Sequence, residues 1–533
     1  MSNSSLPHLQ RNGQAVQLMV DEQAFLMLAG ELGNSSSACA ADMPEMFDRL
    51  AALHLNTVIA AVTWELVEPE EGTYDFSLVE ALIATARERG MRLVLLWFGA
   101  WKNGKSCYVP AWVKQDLARF PRVQSEAGAN MDIISPFHPA ITEADARAFA
   151  ALMQWIGAND PAYTVVMMQV ENEVGILSAP RDFSPAAEEA FRQPVPAGLT
   201  DYLQAHDEQL LPEVGEPWAG HGRVGGQPWA ETFGKDAAEF FMAWHLASHL
   251  DAVAAAGRRE HNLPMYANAW LVSEGQPSAG DYPSGGPVSR VMDIWRAAAP
   301  HLDLLAPDIY DPRFKEVCAS YARGGNPLFI PEAYREARAA GAVFYAFGQH
   351  AALGFGPFAI DLREAGDPLG ESYAVLAELM PLLTAAQAEG RVLGFYQQDE
   401  SDQVATTLGG LKVYANTLAP SSEVAVAGGG LLISLGDDEF LAVGRNYQIG
   451  FGTPDSTGSN LELVSVDQGE IRGGAWVHHR RLNGDETVHG QVIPLGAVFL
   501  SGLRGGVYCM RVKVNRAAGP VAFASSWVFP GEG

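Results

Sequence analysis

The chain has 533 residues, of which 48% are hydrophobic and 18% are charged. This composition supplies enough apolar surface for a large core and excludes a mainly disordered chain. The length predicts roughly three domains, or two if one is a large barrel. Acidic residues outnumber basic ones 63 to 35, which gives a formal net charge of −28. Because such a surface repels phosphate backbones and anionic lipid headgroups, it argues against nucleic-acid and membrane partners.

The cysteines and the amino-terminal segment carry no targeting or metal signal. Cys39, Cys107, Cys318 and Cys509 lie far apart and form no CxxC pair, so we expect separate thiols rather than a disulfide framework or a zinc site. No basic segment followed by an apolar run opens the chain, and no stretch reaches the roughly 20 apolar residues of a membrane span. The sequence as given predicts a cytoplasmic protein, or a periplasmic one if a leader was removed. The oligomeric state is left open, with a homo-oligomer among the options.

Short apolar runs alternate with helical stretches from about residue 24 to residue 361, which is typical of βα units. The predicted strands are Phe25–Ala29, Thr57–Val62, Arg92–Phe98, Val165–Val170, Met265–Ala269, Leu302–Pro307, Leu328–Pro331 and Val343–Phe347. The predicted helices between them are Met43–Leu53, Leu78–Arg89, Glu143–Trp155, Ala237–Ala256 and Val288–Ala298. This pattern predicts a (β/α)8 TIM barrel. A doubly wound sheet is the alternative, but the glycine-rich phosphate turn typical of that fold does not occur after an early strand.

The second part of the chain has a different pattern. Insertions at 176–235 and 273–289 follow the fourth and fifth predicted strands, at the end of a barrel where active sites form. A predicted helix over Glu371–Glu389 closes this region, and alternating strand patterns such as Gly506–Val514 follow. We therefore predict a catalytic barrel with an N-terminal extension over residues 1–390 and an all-β sandwich over residues 391–533.

Acidic residues follow two of the predicted strands. The fourth strand leads into Glu171, Asn172 and Glu173, and the seventh leads into Glu332. Regular strand alternation would place Glu171 and Glu173 on the same side. Each acid taken alone is also explained by a non-catalytic role, either at a solvated strand end or in a structural ion pair. As a pair, carboxylates on strands four and seven can meet across the barrel opening, and a separation of about 5–5.5 Å suits double displacement at a sugar anomeric carbon.

The sequence around these acids resembles a known family. Asn-Glu after strand four and Glu after strand seven resemble the clan of retaining glycosidases built on (β/α)8 barrels, and the finer resemblance is to glycoside hydrolase family 35, the β-galactosidases. Gln169–Gly175 is similar to the family segment QxENEYG, Asn56–Phe76 to its NxV…W…EPxxGxxdF segment, and Pro110–Val113 to its PAWL turn. Leu96–Gly104 resembles a bacterial subgroup with a C-terminal β-domain.

The resemblance implies roles for individual residues. Glu173 would be the general acid/base, Glu332 the nucleophile, and Asn172 would hydrogen-bond the sugar 2-OH. Tyr310, after strand six, would steady the nucleophile or donate to the sugar. The other substrate-binding candidates are an asparagine and three tryptophans that would stack on a pyranose or else pack in the core: Asn103, Trp64, Trp101 and Trp270. The implied partner is a carbohydrate substrate, a β-galactoside, and no metal or organic cofactor is implied.

Two positions depart from the family pattern. Val174 stands where the family usually has Tyr, and Ala100 stands where many members have a sugar-binding Glu after strand three. Lys102 and Asn103 are candidates for replacement polar contacts. Three hypotheses follow: a retaining exo-β-galactosidase, a retaining or endo-acting glycosidase for another sugar of plant cell-wall polysaccharide, and a non-catalytic carbohydrate-binding barrel.

Overall fold

The computed structural model describes residues 5–364, 366–398, 403–417, 427–496 and 506–522. The chain forms two compact units. The first comprises Met1–Gln10, Leu18–Tyr334 and Leu353–Arg363, and the second comprises Arg11–Gln17, Arg335–Ala352 and Glu364–Gly533. No helix within the described ranges is long and apolar enough to cross a membrane. The domain boundary at residues 390 and 391 stays a prediction.

Eight parallel strands form a barrel in the first unit, which confirms the predicted fold. Neighbouring barrel strands follow each other in the chain, and a bridge between Ile330 and Phe355 joins the last two strands. The strands up to this point are β1 (His8–Asn12), β2 (Ala15–Val20), β3 (Gln23–Phe25), β4 (Met27–Glu31), β5 (Thr57–Thr63), β6 (Arg92–Lys102), β7 (Arg122–Gln124), β8 (Asn130–Ile134), β9 (Val165–Asn172), β10 (Met265–Trp270), β11 (Leu304–Ile309), β12 (Glu332–Ala333) and β13 (Gly354–Phe355). The strands β1–β3 form a separate small sheet and β7–β8 a hairpin, so the barrel consists of β4–β6 and β9–β13.

Helices connect the barrel strands, and all five helices predicted between them are present. They are α1 (Met43–Ala52), α2 (Trp64–Val67), α3 (Ser77–Glu88), α4 (Ala111–Gln115), α5 (Pro139–Asn159), α6 (Pro185–Arg192), α7 (Ala197–Ala205), α8 (Pro212–Gly220), α9 (Trp229–Phe233), α10 (Ala237–Glu260), α11 (Met292–Ala298) and α12 (Phe314–Tyr321). The insertion after β9 contributes α6 to α9, whereas the one after β10 forms irregular structure.

The predictions of the last two barrel strands differ from the structure. The seventh strand, β12, begins directly after the predicted range Leu328–Pro331, and the prediction of the eighth strand is wrong. Residues Val343–Phe347 lie in α13 (Ala339–His350), a helix of the second unit, and the eighth barrel strand is β13. Because α13 is buried on nearly all of its faces, its apolar residues lack the periodicity that separates a helix from a buried strand. Its glycines allow this burial, since a Cβ on Gly348 would come within 2.4 Å of the Leu431 side chain.

Alternating residues of the strands fill the barrel interior. Ile59 and Ala61 of β5 and Leu304 and Ala306 of β11 belong to one buried apolar cluster, as the period of two in a strand requires. Leu18 of β2 packs into the same cluster, so the amino-terminal extension contributes to the barrel core. The polar residues of these strands are therefore concentrated at the strand ends.

The second unit is an antiparallel β-sandwich, as predicted, together with α13 and α14 (Pro368–Ala388). Its strands are β14 (Val392–Tyr396), β15 (Gln403–Leu408), β16 (Leu411–Thr417), β17 (Gly429–Gly436), β18 (Glu439–Arg445), β19 (Tyr447–Gly452), β20 (Leu463–Arg472), β21 (Ala475–Arg481), β22 (Val492–Leu495) and β23 (Tyr508–Val514). They form a six-stranded sheet of order β14-β17-β18-β23-β20-β21 and a four-stranded sheet of order β15-β16-β19-β22. One apolar core contains residues of both sheets, including Phe440 and Met510 of the first and Ile449 and Ile493 of the second.

Candidate active site

The carboxyl ends of the barrel strands surround a cavity of about 430 Å³. Six of the residues singled out from the sequence line it: Lys102, Asn103, Glu173, Trp270, Tyr310 and Glu332. The other lining residues are Asn34, Leu271, Ser273, Asp308, Asp311 and Phe358. The barrel therefore brings together residues that are widely separated in the sequence, at the end of the fold where barrel enzymes carry their chemistry.

The two predicted catalytic acids face each other in this cavity. Glu173 directly follows β9 and Glu332 begins β12, and each side chain belongs to a residue that is 5% exposed. Oxygen atoms of Glu173, Glu332 and a third acid, Asp308, all lie within 4.8 Å of one another. Two unit charges at 4 Å repel each other by about 4 kcal/mol at an effective dielectric constant of 20. The acids of this cluster are therefore not all ionised together.

The surroundings of Glu173 raise the pKa of its carboxyl group. The side-chain amide of Asn103 donates to Glu173 Oε2, and the backbone N–H of Glu173 donates to Asn268 Oδ1 over 2.9 Å. Burial and the charge of Glu332 raise the pKa of Glu173 to about 7, although Lys102 opposes the shift. A carboxyl group with a pKa in this range can both give and take a proton near neutral pH.

Glu332 has one bonded and one free carboxyl oxygen. The hydroxyl of Tyr310 donates to Glu332 Oε2 over 2.8 Å, whereas Glu332 Oε1 is buried without a hydrogen-bond partner among the described residues. Burial and the charge of Glu332 raise the pKa of Tyr310, so this phenol stays a donor at every ordinary pH. Oε1 is therefore left without a hydrogen bond, in a residue that lines the cavity.

The end of β9 does not continue the regular alternation that the sequence predicts. Glu171 and Glu173 have φ angles of 62° and 44°, in the left-handed region that non-glycine residues rarely occupy. As a result, Glu171 does not share the cavity with Glu173. Its carboxyl group accepts the backbone N–H groups of Ala100 over 3.0 Å and Trp101 over 2.7 Å. The same-side placement that regular alternation would give does not occur at this strand end.

Glu171 belongs to a buried polar network behind the strand ends. Asp145 of α5 accepts from Trp97 Nε1 over 2.7 Å and pairs with His249 Nε2 of α10 over 2.9 Å. Burial and the neighbouring Asp145 raise the pKa of Glu171 well above its usual range, so Glu171 is neutral. Ligand-type atoms of Asp145, Glu171 and His249 lie within 4.8 Å of one another, which is a spacing that a metal could use. Each of these atoms already has a partner in the protein, and the network joins β6, β9, α5 and α10.

The remaining predicted binding residues lie in different places. Trp270 is 38% exposed at the cavity, whereas Trp64 and Trp101 are fully buried. Trp64 Nε1 donates to Glu68 over 2.8 Å, and Trp101 Nε1 donates to the carbonyl of Ile134 over 3.2 Å, so the structure does not bring these two rings to the cavity. Asn172 precedes Glu173 but does not line the cavity, and neither atom of its buried amide has a partner among the described residues.

Sequence reasoning missed several polar residues at the site. Asp308 lies two residues before Tyr310 in β11, and that spacing on one strand face could have indicated it. Glu31 ends β4, beyond the predicted end of that strand, and Asn268 lies in β10. Lys102, by contrast, is a polar contact expected from the sequence. Burial alone would lower its pKa, but the surrounding carboxylates raise it, so Lys102 is a cation in this acidic cluster. No sequence pattern indicated Glu31 or Asn268.

Two segments of the sequence match models of known protein families. Residues 37–216 match the model described as Beta-galactosidase, glycoside hydrolase family 42, and residues 369–494 match a domain of unknown function, DUF5597. The first match confirms the predicted class of enzyme, a glycoside hydrolase, but it does not support the finer assignment to family 35. No curated protein matches the sequence.

The solved structures that match the chain include two β-galactosidases and a β-amylase. The β-galactosidase of Bacillus circulans sp. alkalophilus has 15% identity and a TM-score of 0.48, over 68% of this chain and 57% of that chain. The β-galactosidase of Halorubrum lacusprofundi has 15% identity and a TM-score of 0.46, over 66% and 58%. The catalytic domain of the Paenibacillus polymyxa β-amylase has 14% identity and a TM-score of 0.45, over 66% and 97%. The chain therefore spans less than two thirds of either β-galactosidase.

Proposed function

We propose that this protein is a retaining exo-β-galactosidase in which Glu332 is the nucleophile and Glu173 is the general acid/base. The observation that carries the proposal is the approach of the two carboxyl groups, whose oxygens lie within 4.8 Å in the cavity. Retaining glycosidases place their acids about 5–5.5 Å apart, whereas inverting enzymes need about 6.5–9.5 Å to admit a water molecule between acid and sugar. The short separation supports double displacement.

In the first step, Glu332 Oε1 attacks the anomeric carbon while Glu173 gives its proton to the departing glycosidic oxygen. The bond between C1 and that oxygen breaks, and a galactosyl ester forms on Glu332. In the second step, ionised Glu173 takes a proton from water, the water oxygen attacks C1, and the ester bond to Glu332 breaks. Two inversions at C1 give a product with the original β configuration. Tyr310 holds the other oxygen of Glu332 and so orients the attacking one.

The polar side chains that line the cavity support a polyhydroxylated substrate. Asn34, Lys102 and Asn103 lie there beside the acids. Hydrogen-bonding groups of this kind orient ligands that are rich in hydroxyl groups. Trp270, at the cavity, supplies an aromatic face for a sugar ring.

Azide rescue of two variants tests the assignment of roles. Glu173→Ala should still form the galactosyl ester from an activated aryl β-galactoside, because its phenol leaves without protonation. Hydrolysis of the ester should then be slow, and azide, which needs no base, should restore turnover and give the β-galactosyl azide. Glu332→Ala should be nearly inactive, and azide should give the α-product.

Asp311→Asn is a matched control for both variants, because Asp311 lines the same cavity but is paired with Arg313 over 2.5 Å. It should keep turnover and show no azide product. The same azide anomer from both glutamate variants would contradict the assignment, and initial release of α-galactose from the unaltered enzyme, followed by NMR, would rule out retention.

The absence of the strand-three glutamate favours a second candidate, a retaining β-glycosidase for a different sugar. Ala100 occupies the position where many family members bind sugar hydroxyls, and its N–H is used by Glu171. Lys102 and Asp308 line the cavity instead. A panel of aryl glycosides separates the candidates: faster turnover of the β-glucoside or β-xyloside than of the β-galactoside would favour the second.

A further inference from the structure

A third carboxyl group lies close to the two proposed catalytic acids. Asp308 is 2% exposed and lines the cavity, and one of its oxygens lies within 4.8 Å of oxygens of both Glu173 and Glu332. Double displacement needs two carboxyl groups, so the proposed mechanism assigns no role to Asp308. A buried acid at such a place is costly unless it has a proton or a compensating partner.

Asn268 connects Asp308 to the proposed acid/base. Its Nδ2 donates to Asp308 Oδ2 over 2.7 Å, and its Oδ1 accepts the backbone N–H of Glu173 over 2.9 Å. The other oxygen, Asp308 Oδ1, is buried, and no N–H or O–H donor of the described residues reaches it. Carboxyl oxygens of Glu173 and Glu332 lie within 4.8 Å of an oxygen of Asp308. A carboxyl group that faces another carboxyl group can hydrogen-bond only if one of them carries a proton.

The charges around Asp308 indicate which acid keeps that proton. Asp308 is surrounded by Glu173 of the β9 end, Glu332 of β12, Glu31 of β4 and the phenols of Tyr266 and Tyr310, with Lys102 of β6 as the cation in the cluster. Burial and the charges of Glu332 and Glu173 raise the pKa of Asp308 well above its usual range. Glu173 accepts a hydrogen bond from the Asn103 amide, and the positive charge of Lys102 limits the rise of its pKa, which is about 7. Asp308, which is more deeply buried than Glu173 and has an oxygen that no donor reaches, therefore keeps its proton in preference to Glu173.

We propose that Asp308 is a positioning residue that stays protonated through the reaction and donates its Oδ1–H to Glu173 whenever Glu173 is ionised. The proposal rests on the proposed function of Glu173. Asp308 then keeps its own proton in both steps, and Glu173 alone transfers a proton to the glycosidic oxygen and from water. The hydrogen bond stabilises the ionised form of Glu173, which the second step requires as a base, and Asn268 holds both partners in place.

The pH dependence of kcat/KM on an aryl β-galactoside tests this role, because the alkaline limb reports the acid form of Glu173 in the free enzyme. In Asp308→Ala, ionised Glu173 loses a donor, so the alkaline limb should move upward by about 1 pH unit, as expected for one hydrogen bond to a charged group. In Asp308→Asn, the amide can still donate to Glu173 and accept from Asn268, so the limb should stay within about 0.3 units of its original position. Asp311→Asn, paired with Arg313 in the same cavity, controls for loss of a carboxylate there.

Two results would overturn the proposal. A shift of the limb to lower pH in both variants would mean that Asp308 is ionised, because its removal would then relieve repulsion of the Glu173 charge. A lower kcat with an unmoved limb in Asp308→Ala would mean that the residue only supports the structure. If the unaltered protein turns over no β-glycoside, the proposed function fails instead, and that outcome is visible before any variant is made.

Discussion

Substitution of Glu171 tests the buried network, because regular strand alternation would place this residue beside Glu173, whereas the structure places it in the network. Its carboxyl group is fully buried and accepts two backbone N–H groups, from Ala100 over 3.0 Å and from Trp101 over 2.7 Å. In Glu171→Ala both N–H groups lose their acceptor. A buried donor left unpaired costs about 1–3 kcal/mol, so the two together predict a loss of about 2–6 kcal/mol in the free energy of unfolding of the barrel unit. This is a large share of the roughly 5–15 kcal/mol of a typical native protein.

Urea denaturation followed by tryptophan fluorescence measures this loss. Glu173→Ala is the matched control, because it removes the same side chain two residues further on, at a site where crowded acids repel each other. We expect it to lose less than about 1 kcal/mol of stability. Glu171→Gln keeps one acceptor oxygen and should fall between the two. If Glu171→Ala unfolds at the same urea concentration as Glu173→Ala, the network does not hold the strand ends, and the reasoning from the N–H groups is wrong.

Three further predictions concern the cavity. The kcat/KM of the unaltered enzyme should fall above a pH of about 7, because the pKa of Glu173 is about 7 and only its protonated form starts the reaction; a flat profile from pH 5 to 9 would contradict this. Tyr310→Phe removes a hydrogen-bond donor to Glu332, so kcat should fall roughly 10- to 100-fold without loss of stability in thermal unfolding. An unchanged kcat would show that this hydrogen bond does not contribute to catalysis. Trp270→Ala should raise KM with little change in melting temperature, and Trp64→Ala should lower the melting temperature because that ring is fully buried; the reverse pattern would show that Trp64 is the ring that binds sugar.

The overall fold and the acidic strand ends follow from local patterns in the sequence. Buried parallel strands have short apolar runs, and helices between them have periodic faces, so six of the barrel strands and the sandwich strand β23 could be predicted. The helix α13 could not, because a helix buried on all sides has no polar face to reveal its period. The sugar-stacking role expected for Trp64 and Trp101 could not be judged either, since an aromatic side chain at a strand end packs in the core as readily as it binds a ligand.

Local sequence patterns place Glu171, Glu173 and Glu332 at the mouth of the barrel. The direction of each carboxyl group depends on contacts that form only in the folded chain. The left-handed backbone at Glu171 and Glu173 sends one carboxyl group into the network with Asp145 and the other into the cavity, and no residue type in that segment demands this conformation. The pKa of Glu173 likewise depends on burial and on Glu332, a residue far away in the chain that barrel closure brings next to it. Electrostatic interactions depend on distance in space, and that distance is a property of the folded barrel rather than of any local stretch of sequence.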